Sequence, residues 1–588
     1  MTKTNRKNKN SIYFIYVIFL LLTIIVIVSN NAVAQKPVSI QLNNSGEVCK
    51  KCNKIFSKNI NEKIIDSIAN EYVNCLKSNA FIASSVDSIK IKGDTILVYI
   101  YNNVKYKWQK LNFIDDNAQL INNMHFNSQK FTGKPINYNE IIKIKSKILS
   151  NYENNGYPFV SIKTDSLEVA KGFISANYQV ISGDLITFDS LEIIGNIKLS
   201  QSYLEHYLGV INKKTYSEKK VRLINQRIKE LPFLLIDKTT EIYFINKSAR
   251  IRLFLKPRKA NQFNGILGVT PDSKTPGKIL LTGDISLNLI NSFKIADQIE
   301  FSWKKLETSS QNLYANIQLP YLFNKPIGAQ ASIKLFKKDS TYLNVTTHLG
   351  LPFYLSGNNN IGVYYENSSS TLLSTTELIS ATTLPNVSGF HSNIFGLTVN
   401  LSSLDYKFNP RKGLQVRVQA GYGKKIIEKQ PQINPLLYNG VNLTSFRNEL
   451  FADISNYTNI FGKFVLKLRV QTGYINTKTL LKNEQYRIGG LSTLRGFDEE
   501  SIYASAYVIA SSELRYLFEE NSALFAFYDQ GYYKSIDIKV DNPAGFGAGI
   551  EFQTKAGIFT LSYALGHQLG NSVQFRAARV HFGFVNRF

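Results

Sequence analysis

Two patterns of hydrophobic and polar residues divide the chain near residue 260. Before that point, helical stretches alternate with extended ones. In NYNEIIKIKSKILSNYENNGY, the apolar residues Ile141, Ile144, Ile148 and Tyr152 share one face of a helix. Three such helices, each followed by alternating segments, recur at intervals of roughly 75 residues, which predicts a tandem array of small α+β domains. These domains are predicted at residues 40–103, 104–182 and 183–258.

Strict alternation replaces helical periodicity over residues 262–588. In KFVLKLRVQT, apolar side chains alternate with Lys, Arg and Gln, so that one face of the strand meets an apolar environment and the other meets water. A secreted β-sandwich carries the same alternation. Two features favour a transmembrane barrel instead: the long stretch contains no helical pattern, and its strands are about ten residues long. Lipid-exposed strands leave no unpaired edge, so the sheet must close, and sixteen antiparallel strands fit at about 20 residues per strand and connection.

The N-terminus has the pattern of an export signal. A basic stretch precedes the apolar run SIYFIYVIFLLLTIIVIV, and the small residues Ala32-Val33-Ala34 form a cleavage site, which predicts a signal peptide over residues 1–34. The apolar run is longer than a usual signal core, so an uncleaved membrane anchor is the alternative. No later segment approaches 18 uninterrupted apolar residues, which excludes a multi-span helical membrane protein.

Charge and cysteine content restrict the chemistry. The formal charge of +26 suits anionic partners, but it is spread without a long Lys/Arg run, so we expect anionic lipid head groups rather than nucleic acid. Of the three cysteines, Cys49, Cys52 and Cys75, two can pair in an oxidising compartment and leave one over. A zinc site would need a fourth ligand, and the scattered histidines supply no pair at ligand spacing. We interpret the cysteines as surface thiols without a task, and predict no metal or other cofactor.

The last strand ends on an aromatic residue. In VQFRAARVHFGFVNRF, Phe582 and Phe584 precede Phe588 on the same face of an alternating strand, and only Asn586 interrupts the pattern. This ending resembles the signal by which barrel precursors are recognised at the outer membrane. An ordinary last strand is the alternative interpretation.

The arrangement of repeats, barrel and a late glycine-bracketed arginine resembles the BamA/TamA family of outer-membrane insertases. The repeats resemble POTRA domains, whose recurring marks are a Gly-Tyr after the second helix and a Gly-Asn after the first strand. Gly156-Tyr157 in NNGYPF matches the first mark, and Gly195-Asn196 in LEIIGN matches the second. The first unit lacks both marks and resembles a degenerate POTRA domain.

The segment RIGGLSTLRGFDEES carries the most specific part of the resemblance. Arg495-Gly496-Phe497 matches the Arg-Gly-aromatic signature at the tip of the sixth extracellular loop. In relatives this loop folds back into the lumen, where its arginine meets acidic residues on the inner wall. Glu513 in SSELRYLFE and Asp529 in FAFYDQGYY match those acids. We refer to these five residues as the loop-to-lumen lock.

Alternation supports only one of the two acids. Glu513 and the apolar Leu514 point to opposite faces of their strand, as expected if Glu513 faces the lumen. By contrast, Phe525 and Phe527 would share the face of Asp529. Inner-wall aromatics or a β-bulge would each explain this pattern. The alternative to the lock is an exposed loop in which Arg495 pairs with the neighbouring acids 498–500.

The resemblance implies a bacterial outer-membrane assembly factor with POTRA domains in the periplasm. It would assist folding and insertion or translocation of β-barrel or autotransporter-type precursors, without a cofactor. Its partners would be outer-membrane lipid, the unfolded β-barrel precursors and a periplasm-spanning or lipoprotein accessory protein. Three repeats resemble TamA more than BamA. The chain contains no Gly-x-Ser-x-Gly, His-Glu-x-x-His or phosphate-binding glycine loop, so we predict no enzyme.

Two other functions compete with this interpretation. A two-partner secretion transporter exports one dedicated substrate and usually carries two POTRA units and a plug helix. We find no convincing plug helix before the first unit. A passive porin lacks the repeats and the Arg-Gly-Phe loop, and single-channel conductance would distinguish it.

Overall fold

A computed structural model gives the fold of the 588-residue chain. It describes residues 38–42, 49, 51–52, 55, 64–93, 95–102, 104–115, 120–121, 124, 126–271, 279–305, 310–374, 385–406, 409–554, 557–570, 573 and 578–587. The predicted signal peptide at residues 1–34 and the terminal Phe588 lie outside the described residues. In the part of the chain that is described, no helix is long and apolar enough to cross a membrane.

The chain divides into two compact units, Met1–Ile186 with Tyr216–Glu218, and Thr187–Thr215 with Lys219–Phe588. The first unit contains two three-stranded sheets. One has the order β1-β3-β2 and the other the order β4-β6-β5, and in each the first strand runs parallel to the central one. The strands are β1 (Val38–Leu42), β2 (Ser85–Lys92), β3 (Thr95–Tyr101), β4 (Lys107–Asp115), β5 (Ser161–Ala170) and β6 (Phe173–Ile181).

In the described residues, α1 (Ile65–Ser78) accompanies the first sheet and α2 (Tyr138–Asn154) accompanies the second. Helix α2 begins where the Asn137 side chain accepts hydrogen bonds from two backbone N–H groups of the first turn, which satisfies donors that have no partner within the helix. Its apolar stripe buries Ile141, Ile148 and Tyr152, as the helical periodicity predicts. A short 3-10 helix at Ser128–Lys130 precedes it.

The cysteines of the first sheet are not surface thiols. Cys52 is 0 % exposed in the core of the sheet and is disulfide-bonded to Cys75 on α1. Cys49 is the free thiol. The interpretation of the cysteines as surface thiols without a task is therefore wrong. The sequence could not show this, because the burial of Cys52 depends on how its segment folds onto α1, and no local pattern reveals this.

The second unit begins with a third α+β sheet of order β7-β9-β8. Its strands and helices are β7 (Thr187–Ile194), α3 (Gln201–Leu208), α4 (Glu218–Lys229), β8 (Leu234–Ile245) and β9 (Ser248–Pro257). Helix α3 starts at Ser200, whose side chain accepts from the Tyr203 N–H, and ends at Gly209 in the left-handed conformation. The N-terminal part of the chain is thus POTRA-like, although the predicted domain boundaries remain predictions.

The rest of the second unit is a closed barrel of sixteen antiparallel strands, which confirms the predicted fold class. The barrel strands are β10 (Gln262–Pro271), β11 (Ile279–Ile290), β12 (Gln298–Lys305), β13 (Gln311–Leu319), β14 (Ala329–Lys338), β15 (Tyr342–Ser356), β16 (Asn359–Leu372), β17 (Phe390–Ser402), β18 (Gly413–Ile427), β19 (Thr444–Phe461), β20 (Phe464–Thr477), β23 (Ala506–Glu519), β24 (Ser522–Lys534), β25 (Ala544–Gln553), β26 (Ile558–His567) and β27 (Arg579–Arg587). A separate hairpin, β21 (Tyr486–Ile488) with β22 (Ile502–Ala504), lies between β20 and β23.

We call the end of the barrel at which β10 begins the near end and the opposite end the far end. Tyrosines of the third α+β sheet pack against the turns of the near end. The rings of Tyr203 and Tyr321 lie 5.5 Å apart edge to face, and Tyr321 stacks on Tyr354 at 4.6 Å. The backbone N–H of Gly357 donates to the carbonyl of Tyr207 at 3.1 Å. These contacts join the sheet to the barrel turns within the second unit.

The two faces of the barrel strands differ as the alternation predicts. On β17, Leu397 is 60 % exposed on the outer surface, while the adjacent Thr398 is 9 % exposed and lines the lumen. In a bilayer the exposed face is covered by lipid, so the free energy of burying these apolar side chains is gained only in a membrane or detergent.

We predict that Leu397→Arg lowers the free energy of unfolding of the barrel by about 2–4 kcal/mol, because the charge would enter lipid near the middle of β17. Thr398→Arg is the matched control, since the added charge would enter the polar lumen. Urea titration of both variants in lipid vesicles measures the difference. Equal losses for the two variants would contradict the assignment of the two faces.

Candidate functional site

The connection between β20 and β23, residues 478–505, leaves the far end of the barrel and folds into the lumen. Its hairpin and tip bury Ile488, Leu494 and Phe497 against Tyr507 and Tyr533 of the barrel wall. Phe497 of the predicted lock therefore anchors the loop by apolar packing. This burial brings the neighbouring Arg495 to the wall as well.

The side chain of Arg495 forms ion pairs with both predicted acids. Its Nε and Nη2 donate to the Oδ2 and Oδ1 of Asp529 at 2.8 and 2.7 Å, and its Nη1 donates to the Oε2 of Glu513 at 2.5 Å. The backbone N–H of Arg495 also donates to Asp529 at 3.1 Å. Two parallel bonds to one carboxylate use the planar fork of the guanidinium, which the ammonium of a lysine does not reproduce.

The lock continues into a balanced network of buried charges. Glu513 also contacts Arg515 at 3.4 Å, and Arg515 reaches Glu551 at 3.1 Å. Lys467 of β20 lies directly opposite Glu513 in the strand register. With Arg495 and Asp529, the network brings three cations and three carboxylates together. Such a balance offsets the desolvation cost that an isolated buried charge would carry.

The ring face of Phe527 contacts the Arg495 guanidinium, a contact that was not predicted from the sequence. The Arg495 Cζ lies 3.6 Å from the centroid of the Phe527 ring, a close cation–π contact. Phe525, Phe527 and Asp529 are all buried on the lumen side of β24, and the pairing of β24 with β23 is regular at these positions. The ambiguous face of Asp529 therefore reflects inner-wall aromatics rather than a β-bulge.

Two glycines allow the loop backbone to touch the wall. Gly496 has φ +90°, which disfavours other residues, and a Cβ there would lie 2.6 Å from the carbonyl oxygen of Leu565. On the wall, a Cβ at Gly545 of β25 would overlap the carbonyl oxygen of Arg495. The glycine-rich GFGAGI segment thus has a steric role, since Gly545 leaves room for the arginine backbone.

Comparison with known proteins identifies the family of this barrel. The sequence profile of the Omp85 superfamily domain matches residues 291–588, which is more than half of the chain. The chain belongs to the Omp85 superfamily.

Two solved structures of CdiB, at low sequence identity, share the fold of this Omp85 protein. CdiB from Acinetobacter baumannii is 14% identical, with a TM-score of 0.52, 82% of this chain covered and 90% of that one. CdiB from Escherichia coli is 13% identical, with a TM-score of 0.50 and coverages of 92% and 98%. BamA from Haemophilus ducreyi lacking POTRA domains 1–3 is 16% identical, with a TM-score of 0.40 and coverages of 82% and 100%. Comparison with curated protein sequences gives no match.

A second buried charge cluster fixes the start of the lumen loop in this Omp85 protein. Glu484, whose side chain is 0 % exposed, forms an ion pair with Lys425 of β18. It also accepts a hydrogen bond from the Arg447 Nη1 at 2.7 Å. The neighbouring Asn483 donates to the Ser370 hydroxyl at 2.7 Å and to the Ser388 carbonyl at 2.9 Å. The loop is therefore held both where it enters the lumen and at its tip. No sequence motif indicated this cluster, because its members lie on separate strands.

The acids that follow the arginine do not pair with it. Asp498 forms an ion pair with Arg579 of β27 at 2.7 Å, and Glu500 pairs with Arg487 at 2.8 Å. The alternative of an exposed loop with Arg495 bound to these acids does not describe the structure. The Asp498 pair instead links the loop to the last strand of the barrel.

The last strand meets the first along a sparsely paired seam. In the described part of the seam, β10 and β27 pair only as Gln262 with Arg587 and Phe263 with Asn586, at the near end. By contrast, β10 pairs with β11 along its whole length. The aromatic residues of the predicted barrel signal, Phe582 and Phe584, lie on β27, where the rings of Phe584 and Phe559 are 4.5 Å apart.

The predicted POTRA marks lie in the α+β region. The Gly156 carbonyl accepts from the Ile186 N–H at 2.7 Å, and Tyr157 packs beside Tyr152 with ring centroids 6.0 Å apart. Gly195 and Asn196 directly follow β7, where the Gly195 carbonyl accepts from the Ile197 N–H at 3.0 Å. These residues shape turns and do not contribute to the charged lumen site.

A polar cavity of about 860 Å³ lies in the barrel and is bordered by Tyr486 of the lumen loop. Glu230, which follows α4, also lines it, and Arg227 reaches the Glu230 carboxylate at 3.0 Å. Burial raises the pKa of the Glu230 carboxyl above its ordinary value, although Arg227 and the Tyr207 hydroxyl act in the opposite direction. Tyr486 of the lumen loop and Glu230 of the third α+β sheet thus both border a polar, water-compatible space in the barrel.

A double-mutant cycle tests the lock. We expect Arg495→Ala and Asp529→Ala each to cost about 3–5 kcal/mol in the free energy of unfolding, because each removes one partner of a buried ion pair. The double variant should cost less than the sum by about 2 kcal/mol, measured by urea unfolding in detergent. The exposed pair of Asp498→Asn and Arg579→Gln is the control, with a coupling of less than about 1 kcal/mol. Additive effects at Arg495 and Asp529 would refute a direct pairing.

Proposed function

We propose that this Omp85 protein is an outer-membrane assembly factor that assists folding and insertion or translocation of β-barrel or autotransporter-type precursors. The observation that carries the proposal is the sparse pairing of β10 with β27 at the seam. An incompletely paired seam leaves backbone N–H and C=O groups available on two strand edges. A precursor strand can bind to such an edge by β-augmentation.

The lumen loop supports the same mechanism. The loop is fixed to the lumen wall through Arg495 and Asp529, and to β27 through Asp498 and Arg579. A barrel whose interior is partly filled by its own loop is poorly suited to passive diffusion. In the proposed mechanism, the loop holds the wall in shape while the seam opens, so that the barrel does not lose its whole structure with each client.

The three α+β sheets supply a place for clients before insertion. We propose that they are POTRA domains with the boundaries 40–103, 104–182 and 183–258, located in the periplasm. In the second sheet, β5 is at the edge and its outer side chains are largely exposed. Such edges bind extended chains through main-chain hydrogen bonds, with little demand on the client sequence. A periplasm-spanning or lipoprotein accessory protein would bind the same region. The mechanism requires no nucleotide or metal.

Closing the seam with a disulfide tests the mechanism. The pair Phe263→Cys and Asn586→Cys joins paired positions of β10 and β27, and Asn264→Cys with Ser286→Cys is the control within the continuous β10–β11 pairing. Both are made with Cys49→Ser, so that no native free thiol competes. We expect the oxidised seam variant to lose at least tenfold in the rate of precursor insertion in proteoliposomes, and to regain it on reduction. Full activity of the cross-linked seam would overturn the mechanism.

Depletion of the protein from its own cell tests the biological role. We expect outer-membrane β-barrel proteins to decrease as a group or as a subset, measured by quantitative proteomics of outer-membrane fractions. A broad decrease corresponds to a BamA-like role, and a decrease restricted to a few proteins corresponds to a TamA-like role. Loss of a single secreted protein with an unchanged membrane would refute the proposal and indicate two-partner secretion.

A further inference from the structure

The three cysteines of the first α+β sheet lie in one cluster. Cys52 is disulfide-bonded to Cys75, and the free Cys49 places its Sγ 3.0 Å from the Sγ of Cys52. A backbone turn creates this contact, since the Cys52 N–H donates to the Cys49 carbonyl at 3.0 Å. The free thiol is thus held against a disulfide sulfur by local chain geometry.

This geometry suits thiol–disulfide exchange. Exchange requires a thiolate to reach one sulfur of a disulfide, and Cys49 already contacts the buried Cys52 sulfur. The Asn79 side-chain nitrogen lies 3.6 Å from the Cys52 Sγ and 3.7 Å from the Cys75 Sγ. Its N–H groups thus face the shared sulfur of Cys52 and the Cys75 sulfur, on which negative charge would arise.

We propose that the cluster is a thiol–disulfide exchange site in which Cys49 and Cys75 compete for the shared sulfur of Cys52. The Cys49 thiolate attacks the Cys52 Sγ and forms the Cys49–Cys52 bond, while the Cys52–Cys75 bond breaks. Cys75 leaves as a thiolate and takes up a proton from solvent, which equals the proton that Cys49 released. The step consumes no oxidant or reductant.

The exchange changes how the chain is tied together. The Cys52–Cys75 disulfide joins residues 23 apart and fastens the segment around Cys52 to α1. The Cys49–Cys52 disulfide would close only its own turn, and a short loop restrains the unfolded chain less than a long one. Cys49 and Cys75 are both half-buried, whereas Cys52 is fully buried. Each arrangement therefore presents a partly accessible thiol, either beside the turn or on α1.

Alkylation of the native protein tests the proposal. The detergent-solubilised full chain is pulsed with N-ethylmaleimide at pH 8, quenched in acid, digested with trypsin and analysed by mass spectrometry. Lys50 and Lys51 separate Cys49 from Cys52, so the three cysteines fall on three different tryptic peptides. We expect label on both Cys49 and Cys75, none on Cys52, and more Cys75 label at pH 8 than at pH 6, because attack requires the thiolate.

Two variants make the result decisive. Cys49→Ser removes the attacking sulfur, so labelling of Cys75 should fall at least tenfold. Cys75→Ser should contain the Cys49–Cys52 disulfide after purification without reductant. Label on Cys49 alone in the native chain, or Cys75 label that persists in Cys49→Ser, would overturn the proposal. If Cys75→Ser does not fold, the comparison of the native chain with Cys49→Ser still decides the question, and neither result depends on the proposed assembly function.

Discussion

A buried guanidinium needs carboxylate partners, and in this barrel the need is met by groups from distant parts of the chain. Arg495 comes from the loop, while Asp529 and Glu513 come from adjacent wall strands. Phe527 supports the cation from its π face, and Gly545 and Gly566 leave room on the wall for the loop backbone. The position of the loop therefore follows from the need to pair the buried Arg495 with carboxylates, and from the space on the wall that lets the loop approach them.

The same loop connects the rigid and the weak parts of the barrel. Glu484 and Arg495 bind it to strands whose pairing is continuous, whereas Asp498 binds it to β27, whose pairing with β10 is sparse. Buried ion pairs resist solvent and salt more than exposed ones. The strong contacts thus lie away from the seam, and the exposed Asp498–Arg579 pair lies beside it. This distribution suits an Omp85 barrel that keeps its interior while its seam opens.

The α+β region is stabilised by different means from the barrel. Lipid or detergent covers the barrel, but each small sheet must bury its own core in water, and small domains gain little from apolar burial alone. The first sheet adds a disulfide between Cys52 and Cys75, which fixes the turn beside α1. The third sheet instead packs its tyrosines on the near-end turns. Covalent and tertiary contacts thus compensate for small cores.

The sequence by itself determined the division of the chain near residue 260 and the alternating faces of the strands, because both follow from local periodicity. The strand number followed from the length of the barrel region. Arg495, Glu513 and Asp529 were predicted from a resemblance to family motifs. Only the tertiary structure decided the face of Asp529, the support from Phe527, the cluster around Glu484 and the pairing of Cys52 with Cys75. These features join residues that are far apart in the chain or whose burial depends on another segment. Local patterns specify which side of a strand is wet, but not which distant group will meet it there.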